Sequence, residues 1–204
     1  MNDAPIAELF GEDAAHEAFL VPFVKRLAAE QGAVLEPRVR SAVGGHARAL
    51  REFDLFQKLV LSGHSRMPSL VVVCIDANCK KYDRARKEIA DCVDSRLGER
   101  VIIVCPDPHI ERWYMADPES FAQAVGAQPP IGRRKCKRDI YKGLLTDTIC
   151  QAGLLAPLGG IEFAPELVEC MDLYRAGRND KSMKAFTDEL KGALIRLTSS
   201  SSES

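Results

Sequence analysis

This 204-residue chain has no long hydrophobic run: no stretch approaches the about 20 apolar residues that a membrane helix needs, so no span is expected. No charge sign dominates either. Lys and Arg number 28 against 29 Asp and Glu, for a net charge of −1, so contact with a polyanion must come from a local patch. The seven cysteines (Cys74, Cys79, Cys92, Cys105, Cys136, Cys150 and Cys170) form no C-x-x-C pair, and their odd, scattered set argues for reduced thiols in a cytoplasmic protein. The opening MNDAPIAELFGED has neither a basic nor an apolar region, so no signal peptide is expected. Familiar catalytic fingerprints are missing as well. Without G-x-x-x-x-G-K-[ST] the chain is not expected to hydrolyse ATP by itself. The absence of G-x-G-x-x-G after a strand argues against a dinucleotide enzyme, and that of G-x-S-x-G against a serine hydrolase.

At 46% hydrophobic and 28% charged residues, the composition is that of an ordinary globular protein. Strand-like and helix-like segments alternate. IAELFG at 6–11 reads as a strand, and Asp13 as the N-cap of an amphipathic helix in which Phe19, Leu20, Phe23, Val24 and Leu27 recur at helical spacing and Pro22 suggests a kink. Residues 34–43 alternate like a half-buried strand, with Pro37 marking an edge. A helix is expected over 46–62, where Leu50, Phe53, Phe56, Leu59 and Val60 suit either the core or a homodimer surface. SLVVVCID at 69–76 and RVIIVCP at 100–106 are continuously apolar, as parallel strands covered on both faces must be. A polar helix is expected between them, over about 80–97, and Asp117 with Pro118 signals a short helix start. The pattern predicts an α/β fold with an open, mainly parallel sheet and helices on both faces. That core is expected over 1–125. A basic loop and helices around 165–175 and 180–197 form a C-terminal part at 126–198 packed on it, and 199–204 reads as a disordered tail.

Three acidic residues sit where the hydrophobic runs stop: Glu12, Asp76 and Glu111. If the runs are neighbouring parallel strands, three carboxylates gather at one sheet edge, where they must share a proton or bind a divalent cation. Oxygen ligands favour Mg²⁺ or Mn²⁺, ions suited to phosphate chemistry. Asn78 adds an amide oxygen to the ligand set, and Asp107 competes with Glu111 for the third position. Asp13 also reads as a first-turn acid favoured by the helix dipole, His16 and His109 as capping groups or proton shuttles, and Trp113 and Tyr114 as core. Six cations fall within ten residues: Arg133, Arg134, Lys135, Lys137, Arg138 and Lys142. They suit a phosphate backbone, an acidic partner or plain solubility. Lys80 and Lys81 stand beside the proposed metal site, where they can hold a phosphate or serve as surface lysines.

The strings GEDAAHEAFLVPFVKRL, CIDANC and PHIERWYMADPESF carry a family resemblance. Over roughly residues 6–125 the chain resembles TOPRIM-like nucleases of the OLD and RloB type, in particular their small stand-alone, defence-associated members. In that family a glutamate ends the first strand and opens an E-G-x-x-E-type turn, a D-x-D motif ends a later strand, and a further acid precedes a tryptophan and then an aspartate. Glu12, Asp76, and Glu111 with Trp113 and Asp117 match those positions. Asp13 stands in place of the turn glycine, His16 in place of the second turn glutamate, and Asn78 in place of the second D-x-D aspartate. The resemblance implies a Mg²⁺- or Mn²⁺-dependent nuclease acting on DNA or RNA, with Glu12, Asp76 and Glu111 as catalytic ligands. It also implies a toxic antiviral effector working with a separate ATPase partner. The departures motivate an alternative, a catalytically inactive module of the same fold that binds an ATPase partner or nucleic acid.

Overall fold

The computed structural model describes residues 5–40, 44–130, 132 and 139–201. Four parallel strands make the sheet: β1 (Ile6–Phe10), β2 (Glu36–Val39), β3 (Leu70–Cys74) and β4 (Val101–Val104), in the order β2-β1-β3-β4. The chain crosses from β1 to β2 through α1 (Ala14–Glu30) and returns through α2 (His46–Leu61) to β3, on the other side of β1. The winding direction therefore reverses between β1 and β3. In open α/β sheets ligands bind at the carboxyl ends of the strands beside such a reversal.

Side-chain alternation along the strands explains why helices cover both faces. Ala7, Leu9, Leu70, Val72, Cys74, Ile102 and Val104 pack toward α1, and Phe10, Val71, Val73 and Ile75 pack with Phe53, Phe56 and Val60 of α2. Phe53, Phe56 and Val60 are therefore core, while Leu59 stays 38% exposed. Pro22 lies inside α1, where its missing N–H costs about 3 kcal/mol. Full burial of Phe19, Leu20, Phe23, Val24 and Leu27 offsets that cost several times over, at about 1.5–3 kcal/mol each. Pro37 sits on β2, the edge strand, whose only ladder partner is β1.

After β3, the expected polar helix is shorter than its charge pattern suggested: α3 spans Tyr82–Ala90 and buries only Ala85 and Ile89. Two short helices follow β4, α4 (Glu111–Tyr114) and α5 (Pro118–Val125). The C-terminal part comprises α6 (Ile140–Gln151), α7 (Ala164–Cys170), α8 (Leu173–Asn179) and α9 (Lys181–Ser201). The single helix expected at 165–175 is broken at Met171 and Asp172, where Asp172 caps α8 by accepting from the Tyr174 and Arg175 amides. Tyr141, Leu145, Leu167, Phe186, Leu190 and Leu194 join the α1-side core, so this part packs on the sheet. Arg26 of α1 donates to the Val168 and Met171 carbonyls (2.5 and 2.7 Å), satisfying the open end of α7. The last helix runs through Ser201, beyond the expected start of the tail at 199. Among the described residues, no helix is long and apolar enough to cross a membrane.

Candidate functional site at the carboxyl edge

Asp76 follows β3 after six apolar residues, where an uncompensated charge would be costly. Three donors converge on it. Its Oδ1 accepts from the Ile110 amide (2.9 Å) and lies 3.1 Å from His16 Nε2, while Oδ2 lies 3.2 Å from His109 Nδ1. Burial pushes this carboxyl up, but the His16 charge and the histidine hydrogen bonds outweigh burial and hold it below its usual range.

His16 is the centre of the network. Its Nδ1 lies 2.9 Å from Asp13 Oδ1 and its Nε2 3.1 Å from Asp76 Oδ1, so both ring nitrogens face carboxylates. Ionised carboxylates only accept, and both contacts become hydrogen bonds only when His16 is an imidazolium. Burial opposes that charge, yet Asp76 and Asp13 together raise the His16 pKa well above its ordinary value. Asp13 is the N-cap of α1, accepting from the Ala15 and His16 amides (3.0 and 3.3 Å). Burial raises it, and the His16 bond and charge overcome burial to hold it at about 2. Gly11 makes this packing possible, because a Cβ there would stand 2.7 Å from the His16 Cβ. Tyr114 fixes the same turn from the other side, its hydroxyl donating to the Ala15 carbonyl at 2.7 Å.

Glu12 belongs to the neighbouring strand end. Its Oε1 accepts the Asp76 amide at 3.0 Å, bridging the ends of β1 and β3. Burial, then the Asp76 charge, pushes its carboxyl up to about 7. His46, from the first turn of α2, places Nδ1 3.6 Å from Glu12 Oε1. Burial and the nearby Lys80 charge lower the His46 pKa and favour a neutral ring. Glu111 opens α4 partly exposed; burial first, then Asp76 and Asp13, raises its pKa.

The remaining predicted residues divide clearly. Asn78 sits at the site in a left-handed conformation (φ 54°), its side-chain amide donating to the Asp76 carbonyl at 3.1 Å. Its backbone N–H donates to Pro108 and that of Ala77 to Pro106 (both 2.9 Å), tying the β3 and β4 loops together. Lys80 is ion-paired with Glu88, and Lys81 is exposed at the start of α3. Asp107 presents its amide to Ser182 Oγ (3.2 Å) and its carbonyl to Arg112 Nη1 (2.8 Å). Asp117 does not join the acids: Arg175 holds it bidentately at 2.9 and 3.0 Å. Trp113 is fully buried and donates to Ser182 Oγ at 3.0 Å, as expected of core. Of the basic run, Arg133, Arg134, Lys135, Lys137 and Arg138 lie outside the described residues, and Lys142 is exposed on α6. Cys79 is disulfide-bonded, which departs from the expectation of reduced thiols, while Cys74, Cys92, Cys105, Cys150 and Cys170 are free.

Sequence reasoning did not select His46 and treated His16 as isolated. A histidine three residues after an N-capping aspartate, on a helix leaving a buried strand, was the available signal for His16; His46 had none, because α2 reaches Glu12 only through the fold.

Among the described residues, no three His, Cys, Asp or Glu side chains already stand together as a ligand set. The donor chemistry nevertheless fits a hard divalent cation. Glu12 and Glu111 are carboxylates held above their ordinary range by burial and by neighbouring negative charge, and a cation beside them relieves both effects. No family model, curated protein or solved structure matches the chain.

Proposed function

We propose that the chain is a metal-dependent nuclease of TOPRIM-like type, hydrolysing phosphodiester bonds of DNA or RNA at the carboxyl edge between β1 and β3. The observation that carries this reading is the hydrogen bond from the Asp76 amide to Glu12, which joins two acids from adjacent parallel strands beside the winding reversal. Glu12, Asp76 and Glu111, with Asn78, would hold one or two Mg²⁺ or Mn²⁺ ions. Such an ion, when bound, lowers the pKa of a water and neutralises charge on the reacting phosphate.

The chain's own groups supply the rest. His16 keeps Asp76 anionic and oriented, and Gly11 and Tyr114 keep His16 in place. Lys80 and Lys81 stand at the same loop and would orient a phosphate, and the basic sequence from Arg133 to Lys142 would supply further phosphate contacts. The family resemblance adds the biological frame: an antiviral effector whose toxicity is restrained or delivered by a separate ATPase.

A second reading, an inactive module binding an ATPase partner or nucleic acid, has its own observation. Both Asp76 oxygens already engage protein donors, so a metal would have to compete with His16 and His109. Mn²⁺ calorimetry and cleavage of labelled DNA and RNA, on wild type, Glu12→Gln and Asp76→Asn, separate the two. Metal binding and cleavage lost together in both variants support the nuclease. Cleavage that survives both substitutions overturns it. A folded wild type that binds no Mn²⁺ gives the site to the second reading.

A further inference from the structure

We propose that the face shared by α8 and the first half of α9 binds single-stranded nucleic acid, with Tyr174 as the stacking platform and Arg178, Lys181 and Lys191 as phosphate contacts. Tyr174 is 75% exposed, whereas Trp113, Tyr114, Phe19 and Phe121 are fully buried. An aromatic ring left in water contributes nothing to the core, but it offers a face on which any base can stack. The Arg178 guanidinium lies over this ring, 6.0 Å from its centroid, so the platform carries a cation on one face.

Beside the ring is a groove of about 440 Å³ whose lining includes Tyr174, Arg178, Lys181, Lys184, Asp188 and Lys191. Lys181, Lys184, Asp188 and Lys191 follow one another at intervals of three or four residues, which puts them in one stripe on α9, about 15 Å long. A solvated helix face normally balances its signs through pairs four residues apart, and Lys184 with Asp188 (2.5 Å) does so. Arg178, Lys181 and Lys191 have no carboxylate at ion-pair distance among the described residues. Three uncompensated cations beside an exposed ring, on a chain of net charge −1, are the local patch that a polyanion needs.

The patch is anchored to the candidate site. Lys181 follows Asp180, whose buried carboxylate is held by Arg112, the neighbour of Glu111. Ser182 takes the Asp107 and Trp113 N–H groups, so the start of α9 is fixed to the loop leaving β4. The proposal deepens the nuclease reading and rests on it for the fate of the polymer, but the binding itself can be measured without turnover.

The test is fluorescence anisotropy with a short labelled oligonucleotide of mixed sequence, as single strand and as duplex, in EDTA so that cleavage does not contribute. Tyr174→Ala is expected to weaken single-strand binding about tenfold and to leave duplex binding unchanged. Lys181→Ala combined with Lys191→Ala is expected to reduce the slope of log affinity against log salt by about 1.4, two single-strand phosphate contacts. All three side chains can be removed without opening the core, and circular dichroism checks that the fold is kept. Tyr174→Ala binding the single strand as tightly as wild type overturns the proposal. So does a wild type that binds no oligonucleotide, which would assign the patch to an acidic protein partner. Cleavage assayed with Mn²⁺ on wild type and Tyr174→Ala distinguishes the two readings: Tyr174-dependent binding without any cleavage by wild type keeps this surface and removes the nuclease, whereas cleavage indifferent to Tyr174 does the reverse.

Discussion

Two buried acids in this molecule meet opposite fates. Asp117 is 1% exposed, gripped bidentately by Arg175, bonded to the Asp172 amide at 2.8 Å, and held at about 2 because those partners outweigh burial. Glu12 is 12% exposed, accepts the Asp76 amide, faces a neutral His46, and is pushed up to about 7. The difference is whether the fold supplies a cation. Where it does, the acid is a rivet between α5 and α8; where it does not, burial and neighbouring negative charge leave the acid with a raised pKa. Asp180 with Arg112 belongs to the first kind, and Glu111 to the second.

The sharpest way to break this comparison is to remove a cation from the closed cluster. Arg112→Ala leaves the 1% exposed Asp180 carboxylate without its guanidinium, and an expected loss of about 3–5 kcal/mol lowers the melting temperature by roughly 10 °C in calorimetry. The open cluster should respond with the opposite sign. Folded Glu12 keeps its proton up to about pH 7, whereas its ordinary value is 4.5. The folded state therefore binds more protons across that window, and this group's contribution to stability falls as pH rises from 4.5 to 7. Glu12→Gln removes that slope, and in chelator at pH 8 the variant is expected to be more stable than wild type by roughly 2–3 kcal/mol in urea unfolding. A variant less stable than wild type there would show that Glu12 is already compensated.

A smaller effect probes how the open cluster is held. Gly11→Ala drives a Cβ against His16, with an expected cost of about 1–3 kcal/mol. Its diagnostic readout is the His16 imidazole resonance, which should titrate nearer its ordinary range once Asp13 and Asp76 no longer flank it. The smallest effect belongs to Lys81→Ala. The side chain is exposed, so stability should stay within about 0.5 kcal/mol, and on the nuclease reading only substrate affinity should drop.

The sheet was legible because burial leaves a linear record. Leu70–Cys74 and Val101–Val104 read as continuous apolar runs, and the acids after them had to lie at one edge. Asp13 as a cap, Pro37 on an edge and Trp113 as core followed from single-residue chemistry in the same way. What was not legible depends on strand order. Asp76 and His16 stand 60 positions apart, and their contact exists only because β3 lies beside β1 and not beside β2. Glu12 and His46 meet because α2 crosses the opposite face from α1. Charge content misled in one place: YDRARKEIADCVDSRLG has the composition of a long helix, but its apolar positions can anchor only two turns. Asp117 was legible as the start of α5, but its ion pair was not, because Arg175 is 58 residues away on α8.

Because all four strands point the same way, every turn that approaches the acids leaves a strand at one rim of the molecule, and every returning connection lies at the other. The returning connections, residues 31–35, 62–69 and 91–100, thus lie away from the acids. New termini at Gly63, a dye on exposed Cys92 or a tether at Glu99 should leave the acid rim unchanged. A circular permutant opened at Gly63 would detach α2 from β3 in sequence while keeping their packing, so immobilisation and labelling can be designed from that far rim without touching the acid rim.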